Sequence, residues 1–478
     1  MAAIAYIGIY VIVISKLGRE QLGLWSIITA LPTVISFLGT GVAGSLIKYI
    51  PTYQTSGQSN QVNQLVGNGL FFNFLLAAII TILALIFDKR LLHLMLGETR
   101  LTLELIHLFY LALCCFFINF LSSVFLSALD GLQKIPLKNK ILMVSSIFFC
   151  VSAVLLIHGY QLKGLFIAQL LQSFLVFVFS AIALVRVNSF KFHYRMISLH
   201  YLRIFYTYGS KFQYISILNI IFEPATKYFL NRYFGLSAVG TFDLVNRVVG
   251  QLRTLMVNAI QVIVPFVTKS LKETDTISTI YQRSFRGAML LCSILFGVLI
   301  SGSFSLGYFF HKINIFEFQL MMGYLVFGYM FNVLSTPAYA IRLAKGQLSF
   351  LLIAQALSTG LNILLFVLLG QAPSMLLVLF PTALAMAIPS IYLILSFGST
   401  LSASFSFFNS KDSIIYLVSI LFPMICAGLS LFYSSFYLSM FFGTLHGIIL
   451  IALIYKNEFL MDVFYTLMRR KKTDYAAY

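Results

Sequence analysis

The sequence has 478 residues, of which 60% are apolar and only 10% are charged. Soluble domains carry about 25% charged residues, so this composition excludes a soluble globular protein. Since about 20 apolar residues cross the hydrocarbon core of a bilayer, the chain has room for about fourteen transmembrane helices. Little sequence remains for a soluble catalytic domain, and there is no phosphate-binding loop of the type G-x-x-x-x-G-K-[ST]. We therefore predict an all-α polytopic membrane protein that is not an enzyme.

The formal net charge is +18. Polytopic membrane proteins retain Lys and Arg on their cytoplasmic side, so this excess does not require nucleic acid as a partner. The five cysteines all lie inside apolar runs and lack the spacing of metal ligands. We predict neither a metal site nor a bound cofactor, and any transport would need an energy source other than nucleotide hydrolysis by this chain.

Long apolar windows predict thirteen helices that cross the membrane. A further apolar segment, residues 2–14, reaches only about 20 Å as a helix, so we expect the chain to begin inside its first span. In chain order after that segment, the windows are 22–47, 65–87, 105–129, 141–157, 164–185, 209–230, 238–267, 284–309, 319–341, 348–369, 373–397, 413–433 and 435–455.

The connection at 186–208 is long and basic, and the distribution of Lys and Arg places it in the cytoplasm. We predict that it links two six-helix lobes, residues 1–185 and 209–397. Two additional helices follow at 398–455. The tail at 456–478 has apolar residues at helical spacing and ends in a basic run, as is typical of an amphipathic helix that binds anionic lipid head groups.

The two lobes carry related motifs at an offset of 217 residues, since Gly18 and Gly23 correspond to Gly235 and Gly240. Each motif lies in the short loop that leads into the second span of its lobe. Paired glycines permit a tight turn and close packing of helices. Because each lobe has an even number of spans, we expect parallel repeats with a substrate site at their interface.

Span 8 contains most of the intramembrane polar residues, and charge within a span is usually functional. One face of this predicted helix carries a polar stripe that Arg253 flanks, and we interpret it as the cationic wall of a cavity that binds an anion such as phosphate. Asp243 and Arg247 are also four residues apart, so mutual neutralisation is an alternative. The stripe consists of Asp243, Arg247, Gly250, Thr254, Asn258 and Gln261.

Span 7 contains Glu223, Pro224 and Lys227. Pro224 frees the carbonyl of Ile220 from its helical hydrogen bond, which often marks a hinge or an ion site. Glu223, Lys227 and Asp243 are therefore candidates for ion coupling, with an ion pair between Glu223 and Lys227 as the structural alternative.

Other polar residues of the spans are assigned more modest roles. Lys48 follows a hydroxyl-rich face at the cytoplasmic end of span 2 and is a further candidate for contact with the substrate. We expect lone polar residues such as Asn332 and Asn362 to make interhelical hydrogen bonds.

Several short motifs make the sequence similar to the polysaccharide biosynthesis flippases of the O-antigen (Wzx) type. These flippases belong to the multidrug/oligosaccharidyl-lipid/polysaccharide exporter superfamily. The similarity extends over nearly the whole chain in span number and repeat plan. Its motifs are Lys16-Leu17-Gly18, Gly23-Leu24-Trp25-Ser26, Gly39-Thr40-Gly41, Lys48-Tyr49-Ile50, Phe234-Gly235, Gly240-Thr241-Phe242 and Pro265.

This resemblance implies a bacterial inner-membrane flippase for an undecaprenyl-diphosphate-linked oligosaccharide, such as an O-antigen unit of lipopolysaccharide or a capsule unit. It implies a MATE-like fold, alternating access and coupling to a proton or sodium gradient, and it assigns contact with the diphosphate to Arg247 and Arg253. The expected partners are the lipid-linked substrate, the bilayer and other polysaccharide assembly proteins. The chain departs from many members of that family at Lys227, where they have an acidic or neutral residue.

Three alternatives remain open at this point. A multidrug exporter of the same superfamily would use acidic cavity residues, whereas span 8 has two arginines for one aspartate. A flippase for a peptidoglycan lipid precursor has the same overall plan. A membrane-bound polysaccharide polymerase or ligase would need a large periplasmic loop, and the longest one predicted, about 88–104, is short.

Overall fold

The computed structural model describes residues 2–35, 40–55, 58–96, 102–188, 198–261, 274–310, 314–345, 347–369 and 375–398, together with isolated positions between 437 and 448. Within these ranges the chain forms fourteen α-helices and one π-helical segment, without a strand. The predicted all-α fold is confirmed. Apart from those isolated positions, several predicted features lie outside the described residues: the helices at 413–433 and 435–455, the tail at 456–478 and Pro265.

The helices are numbered in chain order, and the π-helical segment Cys292–Phe296 lies between α9 and α10. Their bounds are α1 Ala2–Leu17, α2 Arg19–Ile35, α3 Thr40–Thr55, α4 Ser59–Ile86, α5 Asp88–Leu96, α6 Leu103–Gly131, α7 Ile135–Asn188, α8 Leu199–Gln261, α9 Thr274–Leu291, α10 Gly297–Ser301, α11 Ser303–Phe309, α12 Ile315–Ala344, α13 Leu348–Leu369 and α14 Met375–Gly398.

Two of these helices are too long for a single crossing. A helix with the 54 residues of α7 is about 80 Å long, more than twice the hydrocarbon thickness. Its backbone breaks at Gln161, where φ is 50° and ψ is −131°. The 63-residue α8 breaks at Gly235, where φ is 78° and ψ is 179°. Each helix therefore contains two of the predicted spans, 141–157 and 164–185 in α7, and 209–230 and 238–267 in α8 as far as residue 261.

The other predicted spans up to residue 398 also fall on helices. Seven of the described helices are long and apolar enough to cross a membrane, so the chain is a multi-pass membrane protein. The window 22–47 falls on α2 and α3, and residues 36–39 between them lie outside the described residues. The predicted connection after residue 87 contains an additional short helix, α5, which begins at Asp88 and buries Leu92 and Met95.

The chain divides into two compact units. Unit 1 comprises Met1–Arg247 with Leu351–Ala385, and unit 2 comprises Val248–Phe350 with Met386–Tyr478. In unit 1, apolar side chains of α3, α4, α6 and α7 form a buried core that includes Leu46, Leu65 and Leu129. Unit 1 contains helices from both predicted lobes, and the lobe boundaries stay a prediction.

The repeated glycines pack against each other within unit 1. A Cβ atom on Gly23 would clash with the carbonyl oxygen of Leu236 and lie 3.2 Å from the amide nitrogen of Gly240. A Cβ atom on Gly240 would clash with the carbonyl oxygen of Arg19 and lie 3.2 Å from the amide nitrogen of Gly23. The contact is reciprocal, because Leu236 stands 217 residues after Arg19, the same offset as between the glycines. Only glycine permits two backbones to approach so closely.

The other glycine pair makes the turns before these crossing helices. Gly18 has a φ of 89° and Gly235 a φ of 78°, and no other described glycine has a positive φ. Side chains other than glycine rarely adopt this left-handed conformation. The two turns lead into α2 and the second part of α8, so the predicted tight turns are confirmed.

Candidate functional site

A buried lysine in α8 joins two carboxylates of the same helix. Lys227 Nζ lies 2.7 Å from Glu223 Oε1 and 2.7 Å from Asp243 Oδ1. The side chains of Lys227 and Asp243 are only 6% and 4% exposed, whereas that of Glu223 is 48% exposed. Because the backbone breaks at Gly235, α8 folds back and brings these residues together although Lys227 and Asp243 are 16 residues apart.

Tyr10 of α1 extends this group of charges. Its hydroxyl donates a hydrogen bond of 2.6 Å to Asp243 Oδ2 and accepts one of 3.2 Å from Arg247 Nε. The guanidinium of Arg247 also lies 5.6 Å from the centroid of the Tyr10 ring. Tyr10 is 1% exposed, whereas Arg247 is exposed. These contacts form a continuous series of interacting side chains that is buried in the middle and exposed at both ends. We name it the Lys227 network, and its members in order are Glu223, Lys227, Asp243, Tyr10 and Arg247.

The aromatic ring of Trp25 packs beside this network. Trp25 lies 5.5 Å from Tyr10 between ring centroids, and its indole nitrogen donates a hydrogen bond of 3.1 Å to Gln169 Oε1 of α7. Four polypeptide segments, α1, α2 and the two parts of α8, thus meet around Asp243 and Tyr10, which are only 3% and 1% exposed. This burial strengthens the electrostatic interactions between them.

The network contains one of the ion pairs that the sequence offers as structural alternatives, and it adds a second ion pair. Glu223 and Lys227 do pair four residues apart, but Lys227 also binds Asp243. Asp243 takes its ionic partner from Lys227 rather than only from its helical neighbour Arg247. The Lys227–Asp243 pair is buried, and removing one partner of such a pair leaves an uncompensated charge at a cost of about 3–5 kcal/mol.

The repeat relates the partners of Asp243 to each other. Tyr10 stands 217 residues before Lys227, so these two residues occupy equivalent positions in the two repeats. Asp243 itself corresponds to Ser26, whose buried hydroxyl has no hydrogen-bond partner within the described ranges. Equivalent positions of the two repeats therefore carry different side chains: a phenol and an ammonium at one position, a hydroxyl and a carboxylate at the other.

The segment around Pro224 receives hydrogen bonds from α13. Thr359 Oγ1 donates to the carbonyl of Leu218 at 2.6 Å, and Asn362 Nδ2 donates to the carbonyl of Phe222 at 3.2 Å and to Thr226 Oγ1 at 2.9 Å. Asn362 thus makes an interhelical hydrogen bond, as predicted. These bonds hold backbone carbonyls at the place where the proline interrupts the helical pattern.

Arg253 lies in unit 2 and has different neighbours. Its Nε donates a hydrogen bond of 2.8 Å to Asn332 Oδ1 of α12, and its guanidinium lies 5.6 Å from the centroid of the Tyr329 ring. Arg253 is half-buried. Over the ranges that the structure describes, Arg253 forms no salt bridge, so its charge meets only neutral groups.

The remaining predicted site residues are exposed. Asn258 lies on the exposed face of α8, next to Thr254, whose hydroxyl bonds the carbonyl of Gly250. Lys48 lies on the exposed side of α3, with its ammonium 4.9 Å from the centroid of the Tyr49 ring. The side chain of Gln261 lies outside the described residues.

The sequence does not identify three residues of these sites as candidate site residues: Tyr10, Trp25 and Tyr329. Tyr10 could have been found from the repeat, because its equivalent Lys227 was already a candidate. Tyr329 offers no comparable signal among 26 tyrosines. Among the described positions, no group of three or more His, Cys, Asp and Glu side chains could hold a metal ion.

A comparison with protein families identifies a matching family profile. The profile of the polysaccharide biosynthesis protein family matches residues 1–271, which is more than half of the 478-residue chain. The matched region contains all of α1 to α8 and every residue of the Lys227 network. No curated protein matches the sequence.

Solved structures of membrane transporters have a similar fold. An inward-facing multidrug resistance MATE family transporter of the MOP superfamily superposes with a TM-score of 0.72 at 16% identity, covering 84% of this chain and 95% of that chain. The lipid II flippase MurJ in an inward closed conformation gives 0.74 at 15% identity, covering 95% and 97%. The Vibrio cholerae MATE transporter VcmN in its bent form gives 0.56 at 14% identity, covering 84% and 97%. The MATE-like fold is confirmed.

Proposed function

The chain belongs to the polysaccharide biosynthesis protein family, and on that premise we propose that it is a flippase for a lipid-linked oligosaccharide. It would move an undecaprenyl-diphosphate-linked unit, such as an O-antigen or capsule repeat, from the cytoplasmic to the periplasmic leaflet by alternating access. The bacterial inner membrane is the proposed location. The reaction breaks no covalent bond, so the protein would act as a transporter and not as an enzyme.

Transport of such a substrate requires a polar, cationic surface inside the membrane. A diphosphate and several sugars cannot cross hydrocarbon without a large desolvation cost, whereas the polyprenyl tail never has to leave it. The protein must therefore offer hydrogen-bond donors and positive charge to the head group alone. Arginine suits this task because its planar guanidinium binds phosphate oxygens in pairs.

The observation that carries the proposal is the environment of Arg253. A cation inside a membrane protein is normally paired with an anion or faces a functional pathway. Arg253 contacts an amide oxygen and an aromatic ring, and within the described residues it has no carboxylate partner. An anionic ligand such as the diphosphate would supply the missing negative charge. Arg247, Asn258 and Lys48 remain further predicted contacts.

The Lys227 network is the proposed place of coupling to a proton or sodium gradient. Glu223 is half exposed and bonds directly to the buried Lys227–Asp243 pair. A proton or cation that reaches Glu223 changes the charge balance of the pair behind it. The network thus offers a route from the surface of α8 to a buried acidic residue.

The test uses a strain that lacks the gene and carries plasmid-borne variants. We expect Arg253→Ala to reduce surface glycan about tenfold or more, with undecaprenyl-linked oligosaccharide accumulating inside the cell. Arg232→Ala is the matched control, because Arg232 is an exposed arginine of the same helix whose guanidinium bonds Tyr228 at 3.0 Å. Full surface glycan in the Arg253→Ala strain, with normal protein in the membrane, would remove the assignment.

The same strain separates the rival functions. Unchanged surface glycan together with new sensitivity to cationic dyes would indicate a multidrug exporter. Accumulation of the peptidoglycan lipid precursor with cell lysis would indicate a flippase for that lipid. If the protein is a multidrug exporter, the carboxylates of Glu223 and Asp243 would become the first residues to test.

A further inference from the structure

The contact between Arg253 and Asn332 has a specific geometry. The Asn332 side-chain oxygen accepts a 2.8 Å hydrogen bond from Arg253 Nε, the nitrogen nearest to the aliphatic stem. Tyr329, on the same helix as Asn332, places its ring 5.6 Å from the guanidinium carbon. A hydrogen bond in the guanidinium plane and a ring beside it together restrict the orientation of the group.

This geometry determines which nitrogens of Arg253 can meet a ligand. A guanidinium has five N–H donors, one on Nε and two on each terminal nitrogen. Since Nε is already used, the terminal nitrogens Nη1 and Nη2 form the pair that can bind two phosphate oxygens at once. The backbone carbonyl of Asn332 on α12 accepts separate hydrogen bonds, of 2.9 Å from the Ser335 hydroxyl and 3.1 Å from the Thr336 hydroxyl, so the side-chain oxygen is not their acceptor.

The charge of the acceptor matters as much as its position. An amide oxygen accepts a hydrogen bond without neutralising the cation, whereas a carboxylate of the same shape would do both. The chain itself provides the contrast, because Lys227 contacts two carboxylates and its charge is matched inside the protein. Arg253 keeps its full positive charge beside Asn332.

We propose that Asn332 is a positioning residue, a neutral anchor that orients Arg253 for end-on binding of a diphosphate while preserving its charge. This inference rests on the proposed function, because it assigns the anion-binding role of Arg253 to a specific geometry. It explains why an amide, and not an acid, stands at this position of α12. It also predicts that specificity for an anionic head group depends on a residue that need not touch it.

The test measures binding of farnesyl diphosphate to the purified full-length chain in lipid nanodiscs. Asn332→Asp keeps the size and the acceptor but adds a negative charge beside Arg253. We expect the Kd to rise about tenfold or more in this variant, and only about threefold in Asn332→Ala, which removes the anchor and leaves the charge. If Asn332 had only a structural role, Asn332→Ala would raise the Kd more than Asn332→Asp, since the aspartate preserves the hydrogen bond with Arg253.

Gln64→Glu is the matched control. The Gln64 side-chain oxygen accepts a 2.9 Å hydrogen bond from Tyr201, so this variant also converts an amide acceptor into a carboxylate, but in unit 1. We expect it to bind farnesyl diphosphate with the affinity of the unchanged protein. Affinity of Asn332→Asp equal to that of this control would overturn the proposal.

A double-mutant cycle keeps the proposal testable if Asn332→Asp does not fold. Lysine has no Nε–H of the guanidinium type, so Asn332→Ala should have no effect on the Kd in the Arg253→Lys background. An unchanged threefold effect in that background would refute the anchoring role. A failure of the proposed function is recognised by a different result. In that case Arg253→Ala would bind farnesyl diphosphate with the affinity of the unchanged protein, whatever the result at Asn332.

Discussion

Lys227 and Arg253 lie on the same helix and have opposite electrostatic surroundings. Lys227 is buried between two carboxylates, and its charge is balanced inside the protein. Arg253 is half-buried against an amide and an aromatic ring. The difference teaches that a cation on a helix of a membrane protein is informative only together with its partners. A balanced cation belongs to the folded structure or to coupling, whereas a cation among neutral groups is available to an anionic ligand.

The largest expected effect is on stability, at Lys227. Lys227→Met leaves the buried carboxylate of Asp243 without its ammonium partner, so we expect a loss of about 3–5 kcal/mol in the free energy of unfolding. Arg253→Met removes a cation that has no carboxylate partner in the described part of the chain, and we expect less than about 1 kcal/mol there. Thermal unfolding of both variants in one detergent checks the contrast.

A second substitution sharpens this prediction. Replacing both members of the pair, Lys227→Met with Asp243→Leu, removes the uncompensated charge and should restore most of the stability. Coupling to an ion gradient would stay lost in this double variant. Equal destabilisation by the single and the double changes would show that packing, and not charge, explains the effect.

The contact between the repeated glycines should also be sensitive. Gly240→Ala places a methyl group against the carbonyl of Arg19, and a backbone atom cannot move aside as a flexible side chain can. We expect a loss of about 1–3 kcal/mol, or a shift to a conformation in which α2 and α8 separate. Cysteine crosslinking across the contact measures the second outcome.

Gly287→Ala is the control for this substitution. Gly287 lies in α9, and a Cβ atom there meets nothing within 4 Å. Alanine has the higher helix propensity, so this variant should be neutral or slightly stabilised. Similar losses at Gly240 and Gly287 would contradict the assignment of a tight crossing.

The third effect, similar in size to that at Gly240, concerns the tyrosine of the Lys227 network. Tyr10→Phe removes the hydrogen bonds with Asp243 and Arg247 but keeps the aromatic ring, so we expect a loss of about 1.5–3 kcal/mol. Tyr110→Phe removes a bond of equal length, 2.6 Å, to the carboxylate of Asp88 outside the network. A loss of gradient-coupled transport in Tyr10→Phe alone would link Tyr10 to coupling.

Much of the fold follows from local features of the sequence. Apolar windows locate the helices because each span must satisfy its own backbone in lipid. Gly18 and Gly235 mark the turns, since a positive φ is costly for other residues. The prediction of close helix packing at Gly23 and Gly240 is likewise confirmed, although the sequence does not show that the two glycines contact each other.

The candidate sites depend on contacts that the sequence does not encode locally. Helical spacing suggests partners four residues away, and it correctly pairs Glu223 with Lys227. It cannot show that Lys227 also binds Asp243, because that contact depends on how the two parts of α8 pack against each other after the predicted turn at Gly235. Tyr10 and Asp243 are 233 residues apart. For Asn332 the sequence predicts an interhelical hydrogen bond but not that Arg253 donates it.

The reciprocal glycine contact has the form of an isologous interface, the kind that joins two identical subunits, here formed within one polypeptide. In a true homodimer every side chain occurs twice, so an aspartate facing Tyr10 and Lys227 would bring a second aspartate at the position of Ser26. A continuous chain is free of this constraint. It can place one acid, one lysine and one tyrosine at three of four equivalent positions, and so build a single balanced charge pair that a symmetric assembly could not contain.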